Sequence, residues 1–405
     1  MRIADVRAEF TRPGQGPIWL ISFGHGTTHW LLATFYVALP FVATDLGLGF
    51  AEAGFLLTCF YAAAFVTNLG SGALVDMTGQ RFALLIVALL MGAVAITGFA
   101  MSREYFLLCV FIAVLGCANT LWHAPAISDL SRRCPDRRAY ALSIHALVAS
   151  LAEAIAPLVG GALLLFLAWQ GTAALSAVPS LFAVAILFML LPRDTAAAGV
   201  AGSGRMSGRA YRSGLADVLR NRAALGVAFV SGLRSATQAG LFVFVPLQLA
   251  IGFGYGPLVV GAALAAMQVG GLLAGPIAGV IADRIGPKPV VMAGVTVTSL
   301  VTVLLVLAGD PLLFVLGVGV VGFALFAIRP VMQAWLLHLV PMNMAATGTS
   351  LLFGAQSGMA MLSPLVGGLV AERFGLSAVF WLYAATILAA NLALLGLRNA
   401  SPART

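Results

Sequence analysis

The hydrophobic pattern of the chain is a series of long apolar runs separated by short polar segments. Each run is about twenty residues long, enough to cross a hydrocarbon core ~30 Å thick at ~1.5 Å per residue. Strand-period alternation is absent from the sequence, so the runs predict a helical bundle and not a barrel. We expect twelve membrane-spanning helices, over residues 18–43, 52–75, 82–100, 104–129, 139–167, 169–191, 222–250, 258–283, 289–308, 311–338, 345–370 and 376–397.

Composition and charge agree with a multi-pass membrane protein. Hydrophobic residues make up 61% of the 405 residues and charged residues 9%, too few to cover a water-soluble globule. Eighteen of the 22 Lys and Arg fall on the side of the two termini, and only Arg103 and Arg373 fall on the other side. This asymmetry predicts a cell (inner) membrane location with both termini cytoplasmic. The net charge of +8 is then a topology signal, and no nucleic-acid partner is expected.

The start of the chain lacks the apolar core of a removable signal peptide, so the first apolar run is retained as a helix. A Gly-, Ser- and Arg-rich stretch divides the remainder into two sets of six runs. We predict an N-terminal six-helix half over 1–192, a cytoplasmic linker over 193–221 and a C-terminal six-helix half over 222–405.

Two repeated motifs relate the halves. PLVGG occurs at 157–161 and at 364–368, and the segments GALVDMTGQR and GVIADRIGPK begin at Gly72 and Gly279. Both pairs are separated by 207 positions (364 − 157 and 279 − 72). A shared offset indicates duplication, and six helices return the chain to its starting side, so the halves are parallel repeats.

The loops after helices 2 and 8 resemble the signature of the major facilitator superfamily. In that family this loop latches the cytoplasmic gate in one of two alternating states, and a solvated interfacial turn is the alternative here. The first copy has Met77 where a basic residue is usual, which puts its charge network in doubt. The expected gating residues are Gly72, Asp76, Gly79, Arg81, Gly279, Asp283, Arg284, Gly286 and Lys288.

APLVGG in helix 5 looks like a degenerate form of the proline–glycine signature of the family's antiporter branch, with Ala156 in place of a glycine. Together with GHGTTH in helix 1 and WHAPAISDLSRR in helix 4, it resembles the fosmidomycin-resistance-like and drug:proton antiporter type. Close helix packing alone is an equal alternative, because proline kinks a helix and glycine admits a neighbour. The residues concerned are Pro157, Gly160, Gly161, Pro364, Gly367 and Gly368.

Polar residues inside the apolar runs are the candidate substrate site, because such groups normally face a cavity or a partner. Arg234 with Gln238 and Arg329 with Gln333 are i, i+4 pairs on helices 7 and 10, which line the pathway in the family. Their guanidinium groups suit an anion, although pairing with Asp129 or Glu153 is the alternative. The full predicted substrate-binding set is Arg234, Arg329, Gln238, Gln333, His25, His29, Trp122, His123 and Tyr36.

Histidine and a desolvated glutamate can exchange protons at ordinary pH, which predicts coupling to a proton gradient. The candidates are His25, His29, His145 and Glu153; neutral histidines that hydrogen-bond neighbouring helices are the alternative. His25 and His29 also have workable metal-ligand spacing. No Cys or Asp cluster accompanies them and two arginines would repel a bare cation, so we expect no bound metal, whereas an anionic metal chelate is compatible.

No phosphate loop, nucleophile elbow or paired metal motif occurs, so an enzyme is not expected. We expect a secondary transporter without cofactor or obligatory protein partner. Its expected partners are a small-molecule substrate, protons and the lipid bilayer. The substrate would be a small organic anion or acidic drug-like molecule, moved by proton-coupled export. The alternatives are proton-coupled import of a small carboxylate or metal chelate, and a receptor or scaffold that does not transport.

Overall fold

The computed structural model describes residues 15–191, 216–307, 310–340 and 344–397. Within this part of the chain, twelve helices are long and apolar enough to cross a membrane, as predicted. Of the predicted linker, 193–215 lies outside the described residues. The helices are α1 (Gly16–Leu46), α2 (Phe50–Thr78), α3 (Arg81–Met101), α4 (Tyr105–Leu121 and His123–Arg133), α5 (Arg138–Leu163), α6 (Trp169–Leu190), α7 (Arg222–Leu247, extended by the π-turn Gln248–Gly252), α8 (Pro257–Ile285), α9 (Pro287–Leu307), α10 (Pro311–Leu339), α11 (Ala345–Phe374) and α12 (Leu376–Leu395).

The helix ends follow local chemistry. Glycine stops α1 and α2, because Gly47 and Gly79 adopt φ values of 65° and 63°, which side-chain-bearing residues avoid. Asn221 caps α7 by accepting hydrogen bonds from the amides of Ala223 and Ala224, both at 3.1 Å. The Asn221 amide also donates to the carbonyl of Leu339 at 2.8 Å, which ties the start of α7 to the end of α10.

Each half packs its six helices in the same way. In the N-terminal half, α1 packs on α5 and α6, while α3 packs on α4 and α6. In the C-terminal half, α7 packs on α11 and α12, while α9 packs on α10 and α12. Adding six to the number of each N-terminal helix gives the corresponding pair of helices in the C-terminal half. The duplication predicted from the motifs is therefore also present in the packing.

The two halves meet mainly through α2 with α11 and through α5 with α8. At both interfaces a glycine faces a backbone carbonyl of the other half. A side chain on Gly261 would collide with the carbonyl of Pro157, and one on Gly54 with the carbonyl of Pro364. The two contacts differ by 207 in residue number (261 − 54 and 364 − 157), so the PLVGG repeat lies at two equivalent inter-half contacts.

Adjacent glycines in the repeat face opposite neighbours. Gly161 lies against Pro257 of α8, while Gly160 lies against Thr34 of α1 within its own half. Likewise Gly368 lies against Phe50 of α2, and Gly367 faces its own half. The glycine pair therefore lets one helix approach neighbours on both sides, which is the close-packing role considered for this motif.

The glycine contacts predict opposite effects for the same substitution at two sites. Gly261→Ala should destabilise the protein by about 1–3 kcal/mol, because the new methyl group meets rigid backbone of the other half. Gly358→Ala, in α11 with no atom within 4 Å of an added Cβ, should stabilise it by up to about 1 kcal/mol through helix propensity. Thermal unfolding in detergent measures both, and equal shifts would contradict the proposed contact.

Candidate functional site

Four of the five histidines of the chain come together inside the N-terminal half. His25 and His29 lie one turn apart on α1, so they share a face of that helix. His123 comes from α4 and His145 from α5. The rings of His25 and His145 stack with centroids 3.8 Å apart and an interplanar angle of 8°. The fifth, His338, is exposed near the end of α10.

A chain of polar contacts runs through this cluster. Nδ1 of His25 lies 2.9 Å from the carbonyl oxygen of His145. Because a carbonyl only accepts, Nδ1 of His25 carries a proton and donates it. Nε2 of His25 lies 3.1 Å from Nε2 of His29 and 3.4 Å from Nε2 of His123. The three Nε2 atoms therefore converge on one point between α1 and α4.

His29 continues the chain to Glu153 of α5. Its Nδ1 lies 2.6 Å from Oε1 of Glu153, and the two side chains are 20% and 28% exposed. Glu153 lines the cavity together with Gln268 of α8, so this carboxylate faces the other half. The predicted proton-coupling residues His25, His29, His145 and Glu153 thus form one contiguous group.

A cavity of about 120 Å³ adjoins His29 and Glu153. Tyr36 and Tyr61 on its wall hydrogen-bond to each other through their hydroxyls at 2.8 Å. Tyr36 also stacks on Phe242 of α7 with ring centroids 5.0 Å apart. The lining draws on both halves and consists of His29, Leu32, Ala33, Tyr36, Tyr61, Glu153, Pro157, Gln238, Phe242, Leu264 and Gln268.

Arg234 is buried beside this cavity and held by neutral partners. Its Nη1 donates to Gln238 at 2.8 Å and to the carbonyl of Leu325 at 3.2 Å, and its Nη2 donates to Ser235 at 2.9 Å. Its Nε is buried and has no hydrogen-bond partner in the described structure. The predicted Arg234–Gln238 pair is therefore a direct contact that fixes a positive charge inside the membrane.

Arg329 of α10 is exposed, and its charge interacts with those of Arg234 and Glu153. Among the described residues, no carboxylate lies within 4.0 Å of either arginine. Asp129, one of the partners considered from the sequence, instead accepts a hydrogen bond from Arg133 at 2.7 Å. Gln333, the predicted partner of Arg329, is half-buried on α10 and lies outside the lining of the cavity.

Trp122 does not line the cavity, although the sequence places it in the substrate-binding set. It is fully buried where α4 is interrupted, and its ring packs against Gly24 of α1. Pro125, which has no N–H for the carbonyl of Leu121, accounts for the interruption. Conversely, Tyr61, Phe242 and Gln268 line the cavity but are absent from the predicted substrate-binding set, which draws only on helices 1, 4, 7 and 10.

The predicted gating residues lie at the ends of α2 and α8. A Cβ on Gly72, Gly79 or Gly279 would meet no heavy atom within 4 Å, and Asp283 and Arg284 are exposed. Arg81 donates to Ser128 of α4 at 2.7 Å, and Lys288 donates to the carbonyl of Leu397 after α12. Gly286 ends α8 with a φ of 89°. The side chain of Asp76 is not among the side chains that the structure describes. A latch role for these residues stays a prediction.

Twelve helices in two equivalent halves of the described chain, with a cavity lined by both, are the architecture of a secondary membrane transporter. A family model described as the Major Facilitator Superfamily matches residues 18–256 and again 227–405. The chain therefore belongs to the major facilitator superfamily, a family of multi-pass membrane transporters and not of enzymes.

Solved structures of transporters share this fold. A variant of the nucleoside transporter NupG superposes with a TM-score of 0.81 at 16% identity, covering 94% of this chain and 99% of that one. A bacterial homologue of the human lysosomal transporter Spinster, inward-facing and unoccupied, superposes with a TM-score of 0.77 at 13% identity, covering 95% of each chain. At these identities the likeness concerns the fold alone. No curated protein matches the sequence significantly.

The different exposure of the two arginines is testable with introduced cysteines. In a background whose four native cysteines are replaced by Ser, Arg329→Cys should react with a small water-soluble thiol reagent at least about tenfold faster than Arg234→Cys. The reason is that Arg329 is exposed whereas Arg234 is 2% exposed. Arg103→Cys, at an exposed loop, is the positive control, and equal labelling at 234 and 329 would contradict the described geometry.

Proposed function

We propose that the protein is a secondary active transporter that exports a small organic anion or acidic drug-like molecule. The observation that carries the proposal is the uncompensated positive charge of Arg329, which is exposed and has no described carboxylate within ion-pair distance. A charge without a partner inside a membrane protein is costly, so a bound anion would stabilise the site.

Arg234 supports the same interpretation. Its guanidinium is held in place by Gln238, Ser235 and the carbonyl of Leu325, none of which neutralises its charge. The unpartnered Nε of this buried side chain is a further donor for an oxygen ligand. The fixed guanidinium group of Arg234 and the exposed one of Arg329, on neighbouring pathway helices, suit the planar oxygen pairs of a carboxylate, phosphonate or phosphate.

We place the protein in the inner membrane with both termini in the cytoplasm, on the distribution of Lys and Arg along the sequence. In this orientation the glycine contacts near the starts of α2 and α8 lie toward the outer side. Their close packing supports a conformation that is closed on that side, with substrate reaching the cavity from the cytoplasm.

Export rests on the resemblance of the α5 signature to that of the antiporter branch. The equivalent PLVGG contact in α11 weakens an antiport-specific interpretation, because both copies pack one half on the other. Import of a small carboxylate or metal chelate is therefore the second candidate, and the converging histidines favour the chelate. NupG is a nucleoside transporter, but at 16% identity its fold gives no reason to expect a nucleoside as the substrate here.

The anion hypothesis predicts that Arg329→Gln weakens the binding of an anionic ligand at least about tenfold, because one charge-assisted hydrogen-bond donor is lost. A panel of carboxylates and phosphonates would first be screened by thermal stabilisation of purified protein, then the best ligand titrated by calorimetry. Arg103→Gln, which removes an arginine from the loop between α3 and α4, should bind the anionic ligand like wild type. Unchanged affinity in Arg329→Gln, or stabilisation by cationic drugs only, would refute the anion site.

Proton coupling remains a prediction from the sequence. In proteoliposomes, an imposed pH gradient should drive uptake or release of the ligand identified above, and Glu153→Gln should abolish the gradient-driven component while leaving binding measurable. Asp45→Asn, a carboxylate on α1 that bonds to Trp169 away from the cavity, is the matched control. Equal flux with and without the gradient would refute coupling to protons.

A further inference from the structure

We propose that His25, His29 and His123 form a binding site for one divalent transition-metal ion of the Zn²⁺ type. Imidazole nitrogen is a common ligand for such ions. One nitrogen of each of the three side chains can be chosen so that all lie within 4.8 Å of one another. The proposal concerns residues other than the arginines and does not depend on which anion is transported.

The hydrogen bonds of His25 and His29 determine which ring nitrogen of each side chain faces the other side chain. Nδ1 of His25 donates to the carbonyl of His145, and Nδ1 of His29 donates to the Glu153 carboxylate. When these two histidines are neutral, their Nε2 atoms carry lone pairs that face each other across 3.1 Å. Two lone pairs at that distance repel, so a proton or a metal ion between them would relieve the repulsion.

The spacing of the nitrogen atoms fits a metal ion better than a shared proton. Tetrahedral Zn²⁺ with Zn–N bonds of ~2.0–2.1 Å places neighbouring nitrogens about 3.3–3.4 Å apart. The two Nε2 distances from His25 are 3.1 and 3.4 Å. A proton would be shared by two of these nitrogens and would leave the third without a partner, whereas a metal ion binds all three.

The groups around the rings are those that support histidine ligands of metal ions. A metal-bound imidazole usually donates its other N–H to a carboxylate or a backbone carbonyl, which orients the ring and raises its basicity. Glu153 and the carbonyl of His145 occupy these places for His29 and His25.

Charge and access are compatible with an ion at this position. Glu153 supplies a negative charge next to the cluster, which offsets the repulsion expected from Arg329. His29 also lines the cavity, so a ligand in the cavity is near the fourth coordination position. Three protein ligands and one open position are typical of sites where a metal ion binds a further small molecule. An oxygen atom of an anionic substrate would suit that position.

From the sequence no bound metal is expected, because no Cys or Asp cluster accompanies His25 and His29 and two arginines would repel a bare cation. The third ligand, His123, is 98 residues from His25 and belongs to another helix. Neutral partners leave the charge of Arg234 in place, so the carboxylate of Glu153, bonded to His29, is the group that offsets the predicted repulsion.

Calorimetry of the full-length protein with ZnCl₂ tests the proposal. The protein is freed of metal with a chelator, and any polyhistidine tag is removed. At pH 7.5 we expect one Zn²⁺ per chain and no heat of binding with MgCl₂, because imidazole is a poor ligand for Mg²⁺. His29→Ala and His123→Ala should each weaken Zn²⁺ binding at least about 100-fold, and Glu153→Gln about 10- to 100-fold. His338→Ala, the one histidine outside the cluster, should bind Zn²⁺ like wild type.

A second measurement guards against variants that fail to fold. Wild-type protein loaded with Co²⁺ should show the visible absorption of a four-coordinate ion, and addition of Zn²⁺ should abolish it. Zn²⁺ should raise the melting temperature of wild type but not of His123→Ala. Lowering the pH to 5.5 should weaken binding, because a protonated imidazole has no lone pair to offer.

Two results would overturn the metal site: wild-type protein that shows no saturable Zn²⁺ binding, or His29→Ala and His123→Ala variants that bind Zn²⁺ like wild type. Arg329→Gln separates this proposal from that of anion transport. It should retain Zn²⁺ binding while it loses anion binding, so each proposal can fail without the other.

Discussion

Polar side chains inside a membrane protein need partners within the protein, because the lipid interior offers none. This constraint explains why His25, His29, His123 and Glu153 form a single polar group. His145 contributes its backbone carbonyl and a stacked ring, and neither of its ring nitrogens has a hydrogen-bond partner among the described residues. The contacts of these residues join α1 to α4 and α5 at mid-helix. Arg234 on α7 also has partners within the protein, because it donates hydrogen bonds to neutral oxygen atoms of Gln238, Ser235 and Leu325.

The packing of the halves brings this polar group to the interface between them. Helix α5 contacts α8 through Pro157 and Gly161, and Glu153 lies one turn before Pro157 on the same helix. Glu153 in turn lines the cavity together with Gln268 of α8. Any rocking of the halves that separates α5 from α8 must therefore also disturb the surroundings of Glu153 and His29. Helix packing and the polar site are mechanically coupled through this segment of α5.

The sequence was sufficient for the fold because both of its signals can be recognised without knowledge of any contact between helices. Apolar runs mark the twelve spans, and the 207-residue offset marks the duplication. It also identified the members of the polar cluster, because charged and histidine residues are rare in such runs. Their mutual contacts could not be predicted, since His123 and His145 reach His25 only through the packing of α4 and α5. Tyr61 and Gln268 were missed because uncharged polar residues on helices 2 and 8 give no comparable signal.

The arrangement of charge places two complementary demands on a ligand. On the C-terminal half, Arg234 and Arg329 present positive charge for which no described carboxylate compensates. On the N-terminal half, the imidazole nitrogens present lone pairs backed by a carboxylate, which favour a cation. The cavity lies between these two regions and draws its lining from both halves. A complex of a cation with an organic anion would satisfy both sides at once, whereas a simple anion or a bare cation would satisfy one. Binding of such a complex would hold the halves together, because each half would contact the part of the ligand with the opposite electrostatic character.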